Sequence, residues 1–119
     1  MSYTNFLYHQ PSITSSQKYD KIILMIKYKK AFLEMLEYNQ SLFNNFKIIH
    51  DNFQKDPQNW QDKFNEEGTK VLRVIRRYEN NLCAKSENSG YGKFSTNLSD
   101  KFWEQVRSYL PLIDQIKII

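Results

Sequence analysis

Residues 18 to 56, KYDKIILMIKYKKAFLEMLEYNQSLFNNFKIIHDNFQKD, run for 39 positions without a glycine or a proline. No residue in the stretch forbids a helix, and no sustained period-2 alternation supports strands. One apolar stripe runs through it: Leu24, Tyr28, Ala31, Met35, Tyr38, Leu42, Phe46, Ile49 and Phe53. Every step is three or four residues, which is the repeat of one helix face. Phe32, Leu36 and Phe43 widen that face beyond a two-stranded coiled-coil seam. A single helix of this length would span ~60 Å at 1.5 Å per residue. A compact domain of similar size has a radius of gyration of only ~13–14 Å. Two outcomes follow. Either the helix breaks, around YNQS or FNNF where Asn and Ser weaken it, or it projects as one rod and needs a second chain to cover it.

The rest of the chain is punctuated. Residues 1–16 form an arm with Tyr3, Phe6 and Tyr8, and the cluster Thr14, Ser15, Ser16 offers N-cap oxygens for a helix starting near Ser16. Asp56 and Pro57 cap and open the next helix, carried by Trp60, Phe64, Val71, Ile75, Tyr78 and Leu82 to about Ala84. The short turn at 56–57 predicts an antiparallel hairpin. Gly68 stands on the apolar face between Phe64 and Val71. Glycine costs ~1 kcal/mol relative to alanine inside a helix, so it marks a bend or the close approach of a neighbouring helix. Residues 85–97, KSENSGYGKFSTN, have loop composition. A last helix is expected after Asn97 or Ser99, with Phe102, Val106, Tyr109, Ile113 and Ile116 on one face and a stop or kink at Pro111. The expected fold is all-α and a single domain over residues 1–119. It is a three- or four-helix bundle, or a long antiparallel helical hairpin with a C-terminal helix packed across it.

Reactive side chains are few. The imidazoles are His9 and His50 and the one thiol is Cys83. A hairpin turning at 57 sets position 50 opposite about 64 and not 83, so no Cys–His dyad forms. His50 is expected at the helix surface or an interface, and Cys83 as a small buried residue. Glu34–Glu37 and Glu66–Glu67 belong to solvated helix faces, without the Glu-x-x-His partners a di-iron bundle requires. There is no zinc-like Cys or His spacing. SGYGKF lacks both the spacing and the preceding strand of a phosphate loop. No catalytic residue, metal site or cofactor is expected, and no enzyme.

One cysteine excludes an internal disulfide framework and suits a reducing compartment. The N-terminus shows no basic region followed by an apolar run. The longest apolar run, IILMI, is far short of the ~20 residues of a membrane span. Cytoplasmic residence without a membrane partner is the expectation.

Hydrophobic residues make up 40% and charged residues 25% of the chain, which suits a globular and not a disordered protein. The abundance of Asn and Lys and the near absence of Ala match AT-rich codon usage and carry no functional information. The net charge of +4 is modest, yet Lys70, Arg73, Arg76, Arg77 and Lys85 crowd one segment with a single acid, Glu79. Lys70, Arg73 and Arg77 share a helix face, and Lys27, Lys29 and Lys30 could extend it. Such a stripe fits a phosphate backbone, an acidic partner, ion pairs to Glu34 and Glu37 across the hairpin, or plain solvation.

The functional expectation is a non-enzymatic helical interaction module, an adaptor or regulatory subunit that self-associates through its long amphipathic helix. Its contact residues would be Leu24, Tyr28, Met35, Tyr38, Leu42 and Phe46, and its partner another protein or a second copy of itself. The alternative is a small basic nucleic-acid-binding protein using Lys70, Arg73, Arg76 and Arg77.

Overall fold

The structure is a computed structural model that describes the backbone of residues 15–88 and 95–117, without the side chains of 15–21, 24, 85–88, 95 and 96. Most of the expected N-terminal arm, His9, the centre of the 85–97 loop and the side chain of Leu24 lie outside the described residues. The described chain is almost entirely helical and contains no strand. α1 spans Ser15–Tyr38, α2 Gln40–Lys55, α3 Pro57–Asn88 and α4 Ser95–Tyr109, followed by a 3₁₀ turn, Ile113–Gln115.

The long unpunctuated stretch breaks, and it does so within YNQS. Asn39 interrupts the helix at φ −128°, ψ 37°. Its side-chain Nδ2 donates to the Met35 carbonyl at 2.9 Å, four residues back. Asn is poor in helix interiors for this reason: its amide competes for backbone partners. The Phe43 N–H still donates to the Asn39 carbonyl at 3.0 Å, so α2 starts at once. Asp56 ends α2 and Pro57 opens α3 as expected, with the Asp56 carboxylate accepting the Asn59 side-chain amide at 2.7 Å.

α2 packs most extensively on α3, while α1 packs on α4 and on the far part of α3, and α4 also covers α3. α1 and α2 together therefore form one arm of a hairpin whose other arm is α3, with α4 laid along both. The fold is a helical bundle with the elongation of a hairpin: it measures 57 × 33 × 23 Å, with a radius of gyration of 18.1 Å.

The core is continuous and rich in phenylalanine. Phe32, Met35, Phe43, Phe46, Ile49 and Phe53 from the first arm meet Phe64, Val71, Leu72, Val74, Ile75 and Leu82 from α3. Leu98, Phe102, Val106, Leu110, Ile113 and Ile116 close the third side. Phe64 is the hub at the hairpin tip, stacked on Phe53 at 4.0 Å between ring centroids and on Phe46 at 5.4 Å. Such pairs stabilise beyond the area they bury.

Two boundaries differ from the sequence reading. α3 continues to Asn88 and α4 begins at Ser95, so the interhelical loop is shorter than 85–97. Lys85, Ser86 and Glu87 are acceptable helix residues, and no glycine intervenes before Gly90. Ser99 caps nothing; its hydroxyl donates to the Glu79 carboxylate and ties α4 to α3. Ile113 and Ile116 are buried, and α4 stops at Tyr109 ahead of Pro111, both as expected. The 3₁₀ turn keeps them on one side because its own repeat is three residues.

Candidate interaction surfaces

α1 is apolar on two sides. Phe32 and Met35 enter the core, with Tyr28 and Ala31 packed beside them. A second row, Ile22, Met25, Ile26 and Leu33, faces solvent, with Ile26 55% and Leu33 62% exposed. At 3.6 residues per turn Ile22, Ile26 and Leu33 lie within about 40° of one another, well away from the core-facing residues. Lys29 sits in the same row, and Lys30 pairs with Glu34 at 3.8 Å on its flank.

The contact residues expected from the sequence fall on different sides. Met35 and Phe46 are fully buried in the chain's own core and form no accessible surface. Tyr28 and Leu42 are half-buried against that core, while Tyr38 is 73% exposed. The solvent-facing row was legible in IILMI, since five consecutive apolar residues wrap right round a helix. Reading a single stripe through Leu24 and Tyr28 hid it.

The basic segment lies on the outer side of α3. Lys70 donates to Glu67 Oε2 at 2.8 Å, and that contact, with Glu66 nearby, raises its pKa. Arg73, Arg76 and Arg77 are exposed and have no ion pair among the described residues. Glu34 is engaged by Lys30 within α1, so the pairing of these arginines across the hairpin does not form.

His50 is not at the surface. It is 1% exposed, between Phe46 and Phe64. Its Nε2 accepts the Leu112 backbone N–H at 3.1 Å, which leaves the ring proton on Nδ1, 3.1 Å from Asp51 Oδ1. That ring N–H, with Lys47 beside it, holds the Asp51 carboxyl below its ordinary pKa against a smaller opposing effect of burial.

Asn65 acts in parallel. Its buried Oδ1 accepts Gln61 Nε2 and the Lys117 backbone N–H, each at 2.9 Å. Gly68 lies between them along the same tail: a Cβ built on it would stand 2.6 Å from Ile116 Cδ1. Hence the close neighbour of Gly68 is the extended C-terminal segment, not a helix. Three residues of unrelated type, His50, Asn65 and Gly68, hold one tail. The role is structural, since both His50 ring nitrogens and the Asn65 Oδ1 are spent on backbone N–H groups or neighbouring side chains. Cys83 is half-buried and not fully enclosed as expected.

No three His, Cys, Asp or Glu side chains are grouped as a metal ion requires among the described residues. A cleft of about 250 Å³ between α1 and α3 is lined by Lys27, Lys30, Glu34, Tyr78 and Asn81. Another, of about 310 Å³, lies between α3, α4 and the tail, lined by Leu72, Arg76, Trp103, Arg107, Ile113 and Asp114. Arg107 escaped the sequence reading because it stands alone in its segment. None of the helices described is long and apolar enough to cross a membrane. Compared with known protein families, with curated proteins and with solved structures, the chain has no match.

Proposed function

We propose that this protein is a non-enzymatic interaction module, an adaptor or regulatory subunit, that self-associates through α1. The observation that supports the reading is the exposed row Ile22, Met25, Ile26 and Leu33. It is a second apolar face on a helix whose first face is already spent on the chain's own core. Exposed apolar side chains gathered on one helix face, here with Lys29 between Ile26 and Leu33, are of the kind that mark interaction sites. Burying such a side chain fully is worth ~1.5–3 kcal/mol. Eight half-exposed copies across a two-fold interface would then contribute on the order of 6–12 kcal/mol, similar to the cost of association. The dimer is therefore weak and concentration-dependent. The single cysteine suits a reducing, cytoplasmic setting.

The test is Leu33→Asp combined with Ile26→Asp. Both side chains are solvent-facing in the single chain, so the variant should keep its far-UV circular dichroism and its melting temperature as a monomer. Light scattering should show the mass fall to that of one chain. An unaltered mass in a folded variant would remove α1 as the assembly surface.

A further inference from the structure

The four arginines of this chain are not scattered. Lysines outnumber them thirteen to four, yet three stand within five residues on the outer side of α3. The fourth, Arg107, comes from α4 to line the same cleft as Arg76. Lysine would serve for solubility alone. Arginine differs by its planar fork, which grips a carboxylate or phosphate in two places.

The cleft is partly pre-organised. Arg107 Nε donates to Asp114 Oδ2 at 2.8 Å and Nη2 to Oδ1 at 3.4 Å. The same guanidinium lies 5.3 Å over the Trp103 ring. Asp114 thus holds Arg107 against the indole, building one wall from a stacked pair. Opposite stands Arg76, which has no anionic partner among the described residues, above a floor of Leu72 and Ile113. About 310 Å³ is room for one or two side chains.

We propose that this cleft binds an acidic segment of a partner protein, with a carboxylate on Arg76 and a neighbouring apolar side chain against Leu72 and the edge of Trp103. A protein segment is favoured over nucleic acid by the charges around it. Asp114 stands in the cleft, Asp100 acts electrostatically on Arg107, and Glu104 lies exposed on the same helix. A phosphate chain would run past these acids, and nucleic-acid binding of useful strength neutralises roughly six to ten phosphates. One face of Trp103 is already covered by Arg107 and is closed to base stacking. The site is separate from the α1 row, so it stands or falls independently of self-association.

The experiment uses the full chain carrying Trp60→Phe, so that Trp103 is the one fluorophore of its kind. The probes are short synthetic peptides with one Asp or Glu placed two, three or four residues from a Leu or Phe. Their Asn and Gln counterparts and a mixed single-stranded oligonucleotide serve as comparisons. Acidic peptides should shift the Trp103 emission and bind about tenfold more tightly than their amide counterparts, the difference expected of a charge-assisted pair. Arg76→Lys keeps the charge but loses the fork, and should weaken binding about tenfold, whereas Lys63→Ala should leave it unchanged. Failure of every acidic peptide to bind would overturn the proposal, as would equal binding of the amide peptides or indifference to Arg76→Lys. Preferential binding of the oligonucleotide, with an affinity falling linearly in log salt, would overturn it in favour of a nucleic-acid surface.

Discussion

Substituting Gly68 by Ala sets two effects of opposite sign against each other. In an exposed helix the change stabilises by ~1 kcal/mol, because alanine loses less backbone entropy on folding. Here the new methyl would stand 2.6, 2.7 and 3.1 Å from Cδ1, Cγ1 and Cγ2 of Ile116. All three belong to one β-branched side chain, so rotation about χ1 exchanges one clash for another. The backbone there is held as well, by the Lys117 N–H on Asn65. Ile116 must therefore withdraw, forfeiting most of the ~1.5–3 kcal/mol that burial of an isoleucine contributes. The net expectation is a loss of ~0.5–2 kcal/mol, with the sign set by the tail and not by the helix. Urea unfolding followed by far-UV circular dichroism gives the number. Ile116→Ala provides the control: once the isoleucine is shortened, Gly68→Ala should become stabilising by up to ~1 kcal/mol. If Gly68→Ala stabilises equally in both backgrounds, Ile116 does not pack on Gly68 and the docking of the tail is wrong.

Two further perturbations test the same clamp. His50→Ala removes the acceptor of the Leu112 N–H and packing between two phenylalanines. It should cost ~2–4 kcal/mol and speed hydrogen exchange at the Leu112 amide; unchanged protection there would show that the bond is not made. Asp51 has its pKa lowered by His50 and Lys47, so its contribution to stability is present above the ordinary carboxylate range and is lost as pH falls through its folded value. Asp51→Asn should lower stability at neutral and alkaline pH, leave it little changed at low pH where Asp51 is protonated, and so flatten the acid limb, as followed by thermal melts across pH.

The sequence carried the helices well because helix periodicity and proline position are local signals. The break within YNQS was legible as a weak point, but whether the stretch breaks depends on what α2 finds to pack against, which no local pattern contains. Gly68 was legible as an exception whose cause was missed: its neighbour lies 48 residues on, in a segment with no regular repeat. His50 reads from the sequence as a surface or interface residue because its partner, the Leu112 N–H, is 62 residues away and is a backbone group. A buried imidazole is tolerable only when such a partner exists, and sequence does not show backbone partners. The α3/α4 cleft was invisible for the same reason, since Arg76 and Arg107 meet only when α4 folds back along α3. By contrast the exposed row of α1 was written in IILMI, where apolar residues outnumber what one buried face can take.

Self-association through α1 is the central claim, and the mass of the unmodified protein across a dilution series tests it most directly. Sedimentation equilibrium should give a mass moving from 14.4 kDa toward twice that value as concentration rises. A mass fixed at one chain up to the highest concentration would contradict the account and leave the α1 row without a second copy to cover it.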